Sequence, residues 1–217
     1  MRVVLIDYGA GNLPSVAKAL AAAGVAVERS ADPARAAAAD ALVLPGQGHF
    51  GQVMEAFRRS GFEDVVRAHV AADRPFLGIC VGLQLLVEGS EEAPGVAGLG
   101  VLPGRVVRFP EAGVSVPHMG WNTLHPFGAS PLLAGVADGA HAYFAHSYVV
   151  RFDAADAEAA AFDAGATTTY GPTRFLCAVS RGQLHATQFH PEKSQRVGLR
   201  ILANFAAAAR AAVGRPA

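Results

Sequence analysis

The stretch FLGICVGLQLL, residues 76–86, decides the fold. An apolar run of strand character, Phe76 to Ile79, meets a cysteine set between Gly78 and Gly82, and the residues that follow have helical character. This is G-x-C-x-G, the cysteine form of the nucleophile elbow, in which a strand turns at once into a helix. Such a turn strains the backbone of the central residue and crowds its neighbours, and glycines relieve the crowding because they have no Cβ. The sulfur of Cys80 then points outward at the C-terminal end of the strand. A helix N-terminus beginning near Val81 favours a thiolate there through its dipole and free N–H groups. On its own the motif is equally compatible with a buried structural cysteine in a strand-to-helix turn.

The chain on either side supports a layered α/β architecture. RVVLID (2–7) is a continuous apolar run suited to a strand buried on both faces. YGAGN breaks it, Pro14 suits a first helical turn, and the helix SVAKALAAAG stops at Gly24. VAVE (25–28), ADALVLPG (39–46) and PFLGI (75–79) read as the next strands, and short apolar strands alternating with helical segments imply a parallel sheet covered by helices. Beyond residue 100 the pattern changes to short strands separated by turns: GRVVRF, VSVPHMGWN, AYFAHSYVV, TTTYG, FLCAVS and QLHATQFH. A last helix is expected from about Gln195 to Ala212, the GRPA tail should fray, and the Ala-rich 152–165 reads as a linker or edge insertion. No internal repeat and no boundary is evident. The expectation is one domain over 1–217 with a mixed, mostly parallel central sheet flanked by helices.

The 217 residues suffice for one sizeable core, and 52% apolar with 17% charged residues is a compact globular composition. Lys+Arg and Asp+Glu are 18 each, so no basic field argues for nucleic acid or an anionic membrane. A neutral surface weakly favours association with a partner. Two cysteines, Cys80 and Cys177, do not make a disulfide framework, and the N-terminus runs straight into a strand with no signal-peptide or membrane-span pattern. A cytoplasmic enzyme with reduced thiols is expected.

A thiolate catalyst needs a base and a group to orient it. ATQFHPEKS offers both: His190 and Glu192 fall on one face if the chain is extended, and Pro191 stiffens the pair. A lone H-x-E is more often a solvated pair in a turn. Its coincidence with an elbow cysteine matters because neither feature requires the other structurally. Negative charge on a tetrahedral intermediate needs N–H donors. The N–H of Val81 is one, and the loop LPGQGHF (44–50) offers Gly46, Gln47 and Gly48, although a plain glycine-rich turn also fits it. That loop has no G-K-[ST] and is no phosphate loop. The remaining histidines show no metal-ligand spacing, so neither metal nor cofactor is expected, and Cys177, inside FLCAVS, reads as core.

Taken together these residues resemble the class I glutamine amidotransferases with their Cys-His-Glu triad. DYGAGNLPS, LPGQGHF, GICVGLQLLVEGSEE, GLGVLPGRVVRF, PHMGWN, YFAHSY and QFHPEKS follow in order over most of the chain. They resemble, within that family, the glutaminase subunits of imidazole glycerol phosphate synthases. The resemblance implies that Cys80 attacks the side-chain amide of glutamine, that His190 moves protons and that Glu192 orients it. It also implies that Gln84, Glu92, Ser147 and Tyr148 hold the substrate. Ammonia would pass to a separate (β/α)8-barrel cyclase subunit of histidine biosynthesis, faced by Asn12, Trp121, Tyr143 and Lys193. The loop departs from the usual family sequence Pro-Gly-Val-Gly-Ala-Phe at Gln47 and His49.

Overall fold

The computed structural model describes residues 1–110, 113–151 and 162–214. Its strands are β1 (Val3–Ile6), β2 (Val27–Ser30), β3 (Ala41–Gly46), β4 (Phe76–Cys80), β5 (Arg105–Arg108), β6 (His118–Phe127), β7 (Ala140–His146), β8 (Tyr148–Arg151), β9 (Ala164–Tyr170), β10 (Thr173–Arg181) and β11 (Leu184–Thr187). The helices are α1 (Leu13–Ala22), α2 (Pro33–Ala37), α3 (Phe50–Arg59), α4 (Phe62–Ala71), α5 (Val81–Gln84) and α6 (Gln195–Val213).

Among the described residues, nine strands form one sheet in the order β2-β1-β3-β4-β11-β10-β9-β6-β7, and β5 with β8 makes a separate antiparallel ribbon. The first five strands of that order are parallel and the rest pair antiparallel. Every residue of β1, β3 and β4 is buried, as their uninterrupted apolar runs require. The chain leaves β1 toward β2 on one side and returns to β3 and β4 on the other. The loops that follow β1, β3 and β4 therefore open together at the carboxyl edge of the sheet, where open α/β sheets bind ligands.

Local chemistry sets the helices. Asn12 caps α1 by accepting from the Ser15 N–H at 3.3 Å, and Pro14 sits in its first turn. In α3 the buried residues Phe50, Val53, Met54 and Phe57 fall on one stripe at i, i+3, i+4 and i+7. In α6 Gly198 has a packing reason: a Cβ there would lie 1.8 Å from the Pro191 carbonyl oxygen. The helix thus seats directly on the 3-10 turn Pro191–Lys193.

Several expected boundaries shift. β2 begins at Val27, because Val25 folds into the core at the end of the turn after α1. The expected insertion at 152–165 overlaps β9, where Ala164 and Gly165 pair with Ser180 and Val179, and Phe162 is buried; residues 152–161 lie outside the described residues. The strand expected at 183–190 ends at Thr187, and its last three residues leave the sheet. The expected fraying at 215–217 also falls outside the described residues.

Candidate active site

Cys80 ends β4 with φ 56° and ψ −111°, a conformation that an L-residue holds only under strain. The glycines around it are demanded by close approach. A Cβ on Gly82 would sit 2.0 Å from the Leu44 carbonyl oxygen, and one on Gly46 would sit 2.8 Å from the Gly82 nitrogen. The helix after the elbow is shorter than the sequence suggests: α5 is a single turn, Val81–Gln84, fully buried. Its free N–H groups face the strand end, but it lacks the length of a full helix dipole.

His190 and Glu192 meet by a different backbone route from the extended one expected. His190 leaves the sheet at φ −98°, ψ 96°, and Pro191–Lys193 form a 3-10 turn that folds Glu192 back beneath the imidazole. His190 Nδ1 and Glu192 Oε1 are 2.8 Å apart, with side chains 7% and 2% exposed. Burial alone would lower the pKa of His190. Side-chain hydrogen bonds to Cys80 and Glu192, and their negative charge, outweigh it and push the value up to about 10. The imidazole is thereby held charged between a sulfur and a carboxylate. The turn itself is pinned to β7: the His190 N–H donates to the Tyr143 carbonyl at 2.9 Å. The Ser194 hydroxyl donates to the His190 carbonyl at 2.7 Å and accepts from the Tyr143 N–H at 2.9 Å.

A cavity of about 210 Å³ opens over the sulfur. Cys80 and Val81 line it together with Gln47 and Gly48 of the loop, and so do Gln84, Glu92, Ser147 and Tyr148. Every residue that the resemblance assigns to glutamine is thus gathered there. Gly46 is placed otherwise: it sits opposite Cys80 in the β3–β4 register, beneath Gly82, and serves as the contact point of strand and helix. Glu92 also braces the loop, its Oε2 accepting from the Phe50 N–H at 2.7 Å. His49 turns out of the loop and caps α3, its Nδ1 accepting from the Gly51 N–H at 3.2 Å. A larger cavity of about 590 Å³ lies over α3 between His49 and Val96, away from Cys80.

Two residues beside the sulfur escaped the sequence reading. The buried Tyr8 hydroxyl donates to the Pro45 carbonyl at 2.8 Å, fixing the end of β3 that carries the loop; burial first, and then the charge of Cys80, raise its pKa strongly. Gln188 lies with its Nε2 3.7 Å from the Cys80 sulfur and its Oε1 3.1 Å from Gln84 Nε2. Both stand within motifs quoted for the resemblance, but a tyrosine after a strand and a glutamine two residues before a histidine carry no spacing signal. Cys177, wholly buried, donates to the Ala166 carbonyl and is core.

Trp121 and Tyr143 pair across β6 and β7 with their rings edge-on at 6.0 Å, and the Lys193 ammonium lies 5.7 Å from the Tyr143 ring centre. Trp121 is 47% and Met119 65% exposed on the same strand. Asn12, also exposed, stands at the start of α1, which packs against the Pro191–Lys193 turn. An exposed aromatic surface thus lies one residue from Glu192.

Residues 4–209 match the family described as glutamine amidotransferase class-I. The chain belongs to that family, and it is a glutamine-hydrolysing amidotransferase. Within the family it is similar to the imidazole glycerol phosphate synthase subunit HisH of Deinococcus radiodurans, 54% identical over 94% of this chain and 92% of that one. The same subunit of Thermus thermophilus is 52% identical over 94% of this chain and 96% of that one. Among solved structures, a glutamine amidotransferase shares the fold with a TM-score of 0.69 at 21% identity, covering 95% of this chain and 98% of its own.

Proposed function

We propose that this chain is the glutaminase subunit of imidazole glycerol phosphate synthase, releasing ammonia from glutamine for a (β/α)8-barrel cyclase subunit in cytoplasmic histidine biosynthesis. The observation that carries the reading is a strained elbow cysteine beside a buried His190–Glu192 pair, whose imidazole the cysteine and carboxylate together hold charged, under a cavity of amino-acid size. The cavity's polar rim suits the α-amino and α-carboxylate groups of a free amino acid.

In this reading the Cys80 sulfur attacks the amide carbon of glutamine, and a C–S bond forms as the carbonyl electrons move to oxygen. The Val81 N–H and the loop at Gln47 and Gly48 receive the oxyanion. His190 gives its proton to the amide nitrogen, the C–N bond breaks and ammonia leaves. His190 then takes a proton from water, the hydroxide attacks the thioester, and glutamate departs as the sulfur recovers its electron pair. Gln84, Glu92, Ser147 and Tyr148 hold the substrate, and Glu192 keeps the imidazole in register throughout.

The cyclase would dock on Asn12, Trp121, Tyr143 and Lys193. Tyr143 supports this assignment because its backbone brackets His190 through Ser194. There ammonia meets a ribulosyl-phosphate aminoimidazole intermediate, giving imidazole glycerol phosphate and aminoimidazole carboxamide ribotide. The test is glutamine hydrolysis with and without the barrel subunit and its ligand. A steep rise on adding both is expected, and a rate indifferent to the barrel would refute the assigned partner.

A further inference from the structure

A buried pair of histidines adjoins the cavity but has no part in the chemistry above. His118 on β6 faces His146 on β7 in register, with His118 Nδ1 3.3 Å from His146 Nε2. Their neighbours fix which nitrogen carries each proton. Asn122 has its Oδ1 accepting from the Thr123 N–H at 2.8 Å and its Nδ2 donating to the Thr169 carbonyl at 2.9 Å, so its amide orientation is set from both sides. Asn122 Nδ2 lies 3.3 Å from His118 Nε2, which must therefore accept. The proton of His118 is then on Nδ1, and it points at a His146 Nε2 that must also accept. His146 Nδ1 carries the remaining proton and donates it to the Tyr148 carbonyl at 2.8 Å.

The same carbonyl accepts from Gln84 Nε2 at 3.1 Å, which also reaches Gln188 Oε1, and Gln188 Nε2 faces the Cys80 sulfur. We propose that His118 and His146 are positioning residues, a neutral pair of fixed tautomers that sets the Tyr148 carbonyl and, through Gln84 and Gln188, the shape of the glutamine cavity around Cys80. The inference rests on the reading of that cavity as the glutamine site.

The chain of donors runs one way only. A second proton on either ring sets N–H against N–H, and an acceptor in place of the Asn122 amide reverses the direction. The surroundings keep both rings neutral. Phe109, Phe144 and Phe175 pack against both, and Tyr170 stacks on His118. Burial lowers the pKa of His118 to about 4 and that of His146 to about 3; at His146 the hydrogen bond to the Tyr148 carbonyl opposes the fall, and His118 and then His190 add to it. The sequence hides this device because the two histidines are 28 residues apart and neither has a charged neighbour in its motif.

The test is Asn122→Asp, which keeps the shape of the side chain and removes the donor, alongside His146→Phe. The full chain, labelled with 15N-histidine, is read by imidazole 15N chemical shifts, and glutamine KM and kcat are measured on the same proteins. The wild type should show both rings as neutral Nδ1–H tautomers, and Asn122→Asp should disturb both. Glutamine KM should rise about tenfold in each variant, the effect of one buried hydrogen bond, with a smaller change in kcat. A wild-type KM in both variants, or a different tautomer in the wild type, would overturn the proposal. Alkylation of Cys80 by iodoacetamide, compared with Cys80→Ala, reports the nucleophile separately. Glutamine hydrolysis surviving in Cys80→Ala would refute the reading of the site while leaving the tautomer result standing.

Discussion

Glu192 Oε1 takes a 2.8 Å hydrogen bond from His190 Nδ1, and its other oxygen, Oε2, is buried with no partner among the described residues. The carboxylate is therefore stabilised chiefly by the charge of one imidazole, and the two residues depend on each other unequally.

Replacing His190 by Asn removes the base and leaves a buried carboxylate uncompensated. Activity should vanish and stability should fall by about 3 kcal/mol. Glu192→Gln leaves the charged imidazole still faced by the Cys80 sulfur and should cost less stability than His190→Asn. Steady-state rates and denaturant midpoints of both variants check this. Equal destabilisation by the two would show that the pair is not organised around the imidazolium.

The pH dependence follows from the same pair. The folded pKa of His190 is raised to about 10, so its stabilising charge is fully present below the ordinary value near 6.5 and is lost as pH rises through about 10. Glu192→Gln removes one of the raising charges. The alkaline limb of glutamine hydrolysis should move to lower pH in that variant, as read from the pH–rate profile. A limb that stays in place would separate Glu192 from the imidazole.

The acid side has another cause. His69, His118 and His185 are lowered to about 4 and His146 to about 3, in each case mainly by burial. Unfolding raises each toward 6.5, so below that pH the unfolded chain binds more protons and stability falls by up to about 1.4 kcal/mol per pH unit per group. Melting temperatures should drop steeply between pH 6.5 and 4. A flat profile over that window would mean that these rings are not buried neutral.

Gly82→Ala should destabilise by about 3 kcal/mol, because the added methyl meets the Leu44 carbonyl at 2.0 Å with backbone on both sides. The denaturant midpoint measures it, and an unchanged midpoint would contradict the tight strand–helix approach at the elbow.

What was legible in the sequence was what local pattern encodes. Continuous apolar runs named β1, β3 and β4, whereas the parallel place of β11 did not show in its sequence, and Gly78, Cys80 and Gly82 named the elbow because crowding there permits little else. His190 and Glu192 were found by spacing, although the backbone that unites them is a 3-10 turn. Tyr8, Gln188 and Ser194 were missed because their partners, Pro45, Cys80 and Tyr143, lie far away in the chain and meet them only in the fold. His49 was read as part of the loop because nothing local showed that its ring would cap α3.

The central claim is that Cys80 is the nucleophile that frees ammonia from glutamine for a partner enzyme. The direct measurement is formation of imidazole glycerol phosphate by the barrel subunit paired with Cys80→Ala, supplied in turn with glutamine and with ammonia. The account predicts no product from glutamine and undiminished product from ammonia. Product from glutamine at an appreciable rate would contradict it.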